Sequence, residues 1–286
     1  VVMDPFGEPR DSFRPAGDDG GHGMMLPQHF DADDRGVVLG HVSTSFGADA
    51  VVTEFVLGRY ALDGALVKAL AEHREEQSGG SVSLSLGDGE DDFAANWVLC
   101  DDGRVVGYRY AYEYELQVYG PDGNREMIVR REYETLRKPE AQLAADRRRA
   151  EESNARFNGV TLEVEERSRD ISAVHPRPDG RIWVATSEGA RARTDGSLEV
   201  FDVVDREGRY IHTLRVTGVE YDPARDEYVI DGDRLYIFRE SRMVPPKTST
   251  SGGGGMQMIM ISGSGPDPED EEDRGPLEVV CYVIGR

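Results

Sequence analysis

The chain has 286 residues, enough for one large all-β domain or for two ordinary domains. Its 33 basic and 55 acidic residues give a net charge of −22, which would repel phosphate backbones and anionic lipid surfaces. We therefore expect neither nucleic acid nor a membrane surface as a partner. No apolar run approaches the roughly 18 to 20 residues that cross a bilayer, so we predict no transmembrane segment.

The first residues, from Val1, already read as a strand and turn, without an initiator methionine or an export signal. We interpret the sequence as a processed chain or as an N-terminally truncated fragment of a longer protein.

A hairpin turn recurs along the chain, each time between two apolar or aromatic strands. Its glycines are Gly7, Gly64, Gly123 and Gly208, with spacings of 57, 59 and 85 residues. A helix-like stretch at about 134–158 explains the long spacing, because removing its 25 residues from 85 leaves 60. The period is then nearly constant.

A second turn precedes each of the last three hairpins, at Asp34-Arg35-Gly36, Asp102-Gly103-Arg104 and Asp179-Gly180-Arg181, so each of these periods holds four short strands. Four-stranded antiparallel repeats of this length are typical of β-propeller blades. We predict an all-β, six-bladed type of propeller with about four and a half blades present, one helical insertion, and a single domain over 1–286. The predicted segments are a half blade at 1–16, blades at about 24–76, 91–137, 171–216 and 217–286, the helical insert at about 134–158, and a flexible acidic, glycine-rich loop at about 245–276.

The helical insert runs from Pro139 to Glu152, where proline suits the first turn and the alanine, glutamate and arginine content favours helix. Its apolar residues recur every seven positions, at Leu136, Leu143, Ala150 and Phe157. This stripe is too narrow for a coiled-coil seam. We expect a helix that lies across blade loops with a solvated charged face; the alternative is a lid or docking arm.

The strings Tyr114 to Gly123, Asp179 to Val184 and Leu198 to Asp202, together with the charged insert, resemble bacterial six-bladed β-propeller proteins of the NHL-like class. The resemblance covers about 200 residues and is more specific for fold than for function. It implies a periplasmic, cell-surface or secreted location, with a lipid anchor as one option for the full-length protein. It also implies that about one and a half blades precede this sequence.

Four tyrosines at alternate positions, Tyr108, Tyr110, Tyr112 and Tyr114, are the predicted ligand-binding residues. Alternate side chains on a strand point to opposite faces, so one row would be exposed. The alternative is ordinary filling of the strand faces. We expect the binding surface to include the loops at 43–49, 107–112 and 187–194.

Metal and catalytic patterns are weak. His22, His29, His41 and nearby carboxylates are potential ligands, but without HxH or HExxH spacing we predict no metal site. The acidic runs at 88–92 and 267–273 would suit calcium, yet neither matches an EF-hand, so no cofactor is predicted and calcium is the alternative.

Nucleophilic catalysis has no motif, since the chain has neither GxSxG nor a cysteine beside a histidine. We therefore expect a noncatalytic binding or scaffold module for a protein, peptide or glycan. The alternative is a metal-dependent hydrolase or lyase acting in the central channel, as in lactonases and amidating lyases that resemble it in blade number.

Overall fold

The computed structural model divides into two compact units, Val1–Thr217 and Gly218–Arg286. The residues that it describes are 2–3, 9–11, 23–46, 50–78, 93–110, 112–156, 164–192, 197–222, 226–239 and 278–284. The predicted loop at 245–276 lies outside them. The prediction of one domain over the whole chain stays a prediction.

Strands of the first unit form three four-stranded sheets and one short hairpin, all antiparallel. Each four-stranded sheet follows chain order, β3 to β6, β7 to β10 and β11 to β14, and β1 pairs with β2. The strands are β1 (Val2–Met3), β2 (Pro9–Asp11), β3 (Gly23–Asp33), β4 (Gly36–Phe46), β5 (Ala50–Tyr60), β6 (Leu66–Ser78), β7 (Trp97–Leu99), β8 (Val105–Gly107), β9 (Glu115–Tyr119), β10 (Arg125–Arg130), β11 (Ile171–Pro176), β12 (Ile182–Thr186), β13 (Ser197–Val204) and β14 (Tyr210–Thr217).

The first strands of successive sheets, β3, β7 and β11, contact one another in turn, as the inner strands of propeller blades do. We call the three sheets blades 1, 2 and 3. The second unit is a three-stranded antiparallel sheet of β15 (Glu227–Asp231), β16 (Arg234–Phe238) and β17 (Val279–Val283). The predicted all-β propeller with a helical insertion is confirmed. Among the described residues three sheets have four strands and a fourth, in the second unit, has three, so the blade count differs slightly from the predicted four and a half.

Helix α1 (Glu140–Arg156) is the predicted insert, and it lies between β10 and β11. The carbonyl of Pro139 accepts hydrogen bonds from the amides of Gln142 and Leu143, at 2.9 and 3.0 Å. Leu143 is fully buried, and Lys138 pairs with Asp146 at 3.1 Å in a mostly buried ion pair. The helix is therefore held to the rest of the unit through Leu143 and Lys138.

The other stripe residues are less buried, since Leu136 and Ala150 are half-buried and Phe157 lies outside the described residues. The chain segments on either side of the helix are paired: the amide of Lys138 donates to the carbonyl of Glu166 at 2.8 Å, and that of Ser168 donates to the carbonyl of Leu136 at 2.6 Å.

No described helix is both long enough and apolar enough to cross a membrane.

The hydrophobic core lies between neighbouring blades. One cluster joins Val38 and Leu57 of blade 1 to Trp97 and Val105 of blade 2. A larger cluster joins blade 2 to blade 3, with Leu116 and Val118 on one side and Ile182 and Val184 on the other. Because the strands alternate, residues 115 and 117 between the buried positions of β9 remain partly exposed.

Three contacts join neighbouring blades at one end of the sheets, the end where the β9–β10 turn and its equivalents in the other blades lie. Gly123 approaches Lys68 on the outer strand of blade 1, and Gly208 approaches Met127 in the same way on blade 2. Arg59, which is buried, donates to Asp33 in its own blade at 2.8 Å and to the carbonyl of Gly103 in blade 2 at 3.0 Å.

We predict that Gly123→Ala destabilises the first unit by about 2 to 5 kcal/mol. Gly123 has a φ of 77°, which costs a residue with a Cβ about 1 to 2 kcal/mol. A Cβ there would also lie 2.5 Å from Cγ of Lys68, and such overlap adds about 1 to 3 kcal/mol. Urea unfolding followed by circular dichroism measures the change.

The control is Gly180→Ala, because Gly180 has a similar φ of 81° but its Cβ would meet nothing nearer than 3.6 Å. Gly180→Ala should lower the free energy of unfolding only by the cost of a positive φ, about 1 to 2 kcal/mol. Equal losses for the two variants would contradict the packing role of the Gly123 turn.

Both cysteines are free thiols, Cys100 buried and Cys281 exposed. Burial, with nearby Asp102, raises the pKa of Cys100 to about 12. Cys100 therefore serves as a small apolar group in the core.

His175 on β11 packs edge-on against Phe201, with ring centroids 5.5 Å apart. Burial, and then Arg177, lower its pKa from 6.5 to about 4. The folded protein thus holds a neutral imidazole at pH values where the unfolded chain binds a proton.

We predict that His175 makes the free energy of unfolding decrease as the pH falls from about 6.5 to about 4, by at most about 3 kcal/mol. In His175→Leu this part of the pH dependence should be absent, whereas His212→Leu on the exposed strand β14 should keep it. Chemical unfolding at several pH values tests this. A constant difference between wild type and His175→Leu across the window would contradict it.

Candidate functional site

The four predicted tyrosines lie in the connection between β8 and β9 of blade 2, which we call the tyrosine loop (residues 108–114). The described residues of this loop are not in a strand, so burial does not follow strand alternation. Tyr108 and Tyr114, at its two ends, are buried, and Tyr110 and Tyr112 in the middle are partly exposed. The structure therefore separates the four into two structural residues and two surface residues.

The two partly exposed rings are each covered on one side by a guanidinium group. Arg109 lies over Tyr110 with its Cζ 5.0 Å from the ring centroid, and Arg167 lies over Tyr112 at 4.6 Å. At these distances a cation is attracted by the negative face of the ring. Arg109 also reaches Nδ1 of His73 on blade 1 at 3.3 Å, so this surface extends across two blades.

The buried end of the loop joins a cluster centred on Arg131. Its Cζ lies 4.6 Å from the ring of Tyr210 and 5.9 Å from the rings of both Tyr114 and Tyr133. The rings of Tyr114 and Tyr133 are 5.6 Å apart, and the hydroxyl of Tyr133 shares a hydrogen bond of 2.9 Å with Ser187. The cluster connects blade 2 to blade 3.

Asp202 supplies the negative charge of this cluster. Its Oδ2 accepts a hydrogen bond from Nη1 of Arg131, and its Oδ1 accepts one from the hydroxyl of Thr213 at 3.0 Å. Asp202 stands on the central strand β13 and is buried. Although partial burial opposes it, the Asp202 carboxylate raises the pKa of Arg131, so the guanidinium keeps its charge.

Tyr114 is 5% exposed, and its hydroxyl has no hydrogen-bond partner among the described residues. Burial, and then the charge of Asp202, raise the pKa of Tyr114. The phenol therefore stays neutral and is able to donate a hydrogen bond, but not to act as a base near neutral pH.

Asp170 is a second buried carboxyl beside the tyrosine loop. Its Oδ2 accepts from the hydroxyl of Thr135 at 3.1 Å, while Oδ1 has no partner among the described residues. Burial raises the pKa of Asp170, an effect that Thr135 and Arg167 oppose. Together with Arg109, Tyr110, Tyr112 and Arg167, it gives this end of blade 2 both charges and aromatic rings.

Sequence reasoning named the tyrosines but missed the charged residues around them. Asp202 interrupts the apolar strand Leu198 to Val204, and a carboxylate inside a fully buried strand is a signal that the sequence offers. Arg131, Arg167 and Asp170 lie in the connections that flank the insert, where no periodic pattern marks them. The predicted loop at 187–194 also differs, because it begins with a short helix, α2 (Ser187–Ala192).

The potential metal ligands do not converge. His29 stacks against Trp97 with centroids 4.6 Å apart, and His41 is buried with Nε2 2.9 Å from the hydroxyl of Tyr60. Within the described ranges, no three histidine, cysteine or acidic side chains form a group that would hold a metal ion. His22 and the acidic runs at 88–92 and 267–273 lie outside the described residues, so the calcium alternative is not tested.

Neither a protein-family model nor a curated protein matches this sequence. The NHL-like resemblance therefore stays a prediction, and the arguments on function depend on the geometry of the chain itself.

We predict that Asp202→Asn lowers the free energy of unfolding by about 2 kcal/mol. The substitution leaves the partly buried Arg131 without its counter-charge, and such losses are costly when a charge is screened from water. Urea unfolding of the purified variant gives the value.

Asp179→Asn is the matched control, because Asp179 lies in an exposed turn of the same blade and pairs with Arg181 at 3.5 Å. It should change stability by less than about 1 kcal/mol. If the two variants lose the same stability, the Arg131–Asp202 pair does not hold blades 2 and 3 together.

Proposed function

We propose that this protein is a noncatalytic β-propeller module that binds a protein, peptide or glycan ligand through the tyrosine loop of blade 2 and the arginines beside it. The observation that carries the proposal is the pair of partly exposed rings, Tyr110 and Tyr112. Arg109 lies over the first ring and Arg167 over the second.

The composition of this surface supports a binding role. Tyrosine and arginine are enriched at protein interfaces and among the residues that dominate binding energy, because both bury large areas and keep a polar group. Of the three ligand classes, a protein or peptide therefore suits the surface best.

The construction of the surface supports the same role. Arg109 contacts His73 of blade 1, and Arg167 forms two hydrogen bonds of 3.0 Å with Glu165. Side chains held in this way lose less conformational freedom when a ligand binds, which favours affinity. The blade core beneath supplies a rigid base, since Tyr108 and Tyr114 at the ends of the loop are buried.

The experiment begins with the full chain, screened against a displayed peptide library and a glycan array, and continues with the dissociation constant of the best ligand. We expect Tyr110→Ala/Tyr112→Ala to weaken binding by roughly tenfold or more, as loss of interface tyrosines does. Tyr110→Phe/Tyr112→Phe should retain most of the affinity because the rings remain.

Phe30→Ala serves as the control, because Phe30 is an aromatic residue on blade 1 with 70% of its surface exposed. This variant should bind like the wild type. Full affinity in the double alanine variant, with its circular dichroism spectrum unchanged, would remove the tyrosine loop from the binding site.

The alternative, a metal-dependent hydrolase or lyase in a central channel, is distinguished by metal analysis of the purified full-length protein. A stoichiometric, tightly held ion would favour the enzyme, and its absence would favour the binding module. The periplasmic, cell-surface or secreted location and the six-bladed, NHL-like architecture belong to the same proposal, and they are supported by the sequence resemblance.

A further inference from the structure

A second potential ligand site lies at the opposite end of blades 2 and 3 from the tyrosine loop. In an antiparallel blade the β7–β8 and β9–β10 turns share one end, and the β8–β9 connection lies at the other. Between these turns and the β13–β14 turn of blade 3 is a cavity of about 350 Å³. Its lining residues are Asp102, Arg104, Pro121, Glu126, Arg206 and Glu207.

Arg104 and Asp102 line both this cavity and a neighbouring one of about 60 Å³. Arg104 is the more buried of the two side chains. Its side chain is only 8% exposed. The Asp102 carboxylate holds it in place by accepting hydrogen bonds from its Nε at 2.8 Å and its backbone amide at 3.2 Å. No described residue accepts a hydrogen bond from either Nη atom of Arg104. The Nη groups of this largely buried guanidinium are therefore able to donate hydrogen bonds to a ligand in the cavity.

The opposite charge is also present in the larger cavity. Glu126 and Glu207 line it, and among the described residues none donates a hydrogen bond to the carboxylate of Glu126, whereas Glu207 pairs with Arg209 at 3.1 Å. Arg206 at the rim lies 3.6 Å from Asp102, which is thereby shared between two guanidinium groups. Glu126 is therefore the carboxylate that lacks a cation.

These charges restrict the ligand. A simple anion would meet three carboxylates in the lining, and a simple cation would meet two guanidinium groups. A molecule that carries both charges satisfies Arg104 and Glu126 together. The volume is at the lower end of the range for small-molecule sites, which suits an amino acid or a short peptide.

We propose that this cavity binds a small zwitterion of the amino acid or short peptide class, with its carboxylate on Arg104 and its ammonium group on Glu126. This site is separate from the tyrosine loop. It neither requires nor excludes the function proposed for that loop.

The test uses the full chain and the dipeptide alanyl-alanine as the probe, with isothermal titration calorimetry. N-acetyl-alanyl-alanine lacks the ammonium group, and alanyl-alanine amide lacks the carboxylate. We expect the free dipeptide to bind and each blocked form to bind at least tenfold more weakly. No binding of the free dipeptide would overturn the proposal, as would equal binding of either blocked form, which would indicate a plain anion or cation site.

Substitutions of Glu126 and Arg104 test which residue binds the ammonium group and which binds the carboxylate. Glu126→Gln changes an exposed residue, so it should fold normally and lose about tenfold in affinity for alanyl-alanine while its affinity for the N-acetylated form stays the same. Arg104→Gln should lose affinity for the free dipeptide, and Arg104→Lys should recover part of it.

Arg130→Gln is the matched control, because Arg130 stands on the same strand as Glu126 and is exposed, yet neither it nor its partner Glu115 lines the cavity. It should bind alanyl-alanine like the wild type. Unchanged affinity in Glu126→Gln would overturn the proposal even if Arg104→Gln failed to fold.

Discussion

The apolar surface of the blades is buried largely where two neighbouring blades meet. Two core clusters are each built from two sheets, and a smaller one, of Val37, Leu39 and Tyr60, lies within blade 1. The contacts between blades therefore decide both stability and geometry. Gly123 and Gly208 allow an outer strand to approach the following turn, and the Arg131–Asp202 pair joins blades 2 and 3 near the other end.

This constraint also explains why both candidate sites occur where blade 2 meets a neighbouring blade. The junction brings together side chains from loops that are distant in sequence, such as Arg104 and Arg206 at one end and Arg131 and Asp202 at the other. The core between the blades fixes these loops. A rigid sheet with charged groups on its connections is a common way to hold a binding surface in place.

Much of the fold was accessible from sequence because the period and the turns are local signals. The Asp-Gly turns mark hairpins, and every such turn in blade 2 and blade 3 has its glycine at positive φ, as at Gly103 and Gly180. The repeat became regular once the helical insert was subtracted from the spacing, and the structure places a helix at that insert. The candidate site was harder to predict from sequence. The alternating tyrosines suggested a strand, but the chain turns at 112–113. Charged partners are also distant in sequence, since Asp202 and Arg131 are 71 residues apart.

The insert that carries α1 begins and ends at neighbouring points of the chain. Lys138 and Leu136 on one side form backbone hydrogen bonds to Glu166 and Ser168 on the other, so the two ends are fastened before the helix starts. The segment between them is thus a closed loop of chain held at its base. An addition or deletion on the exposed side of α1 would leave this base intact, whereas the fully buried Leu143 limits what can be exchanged.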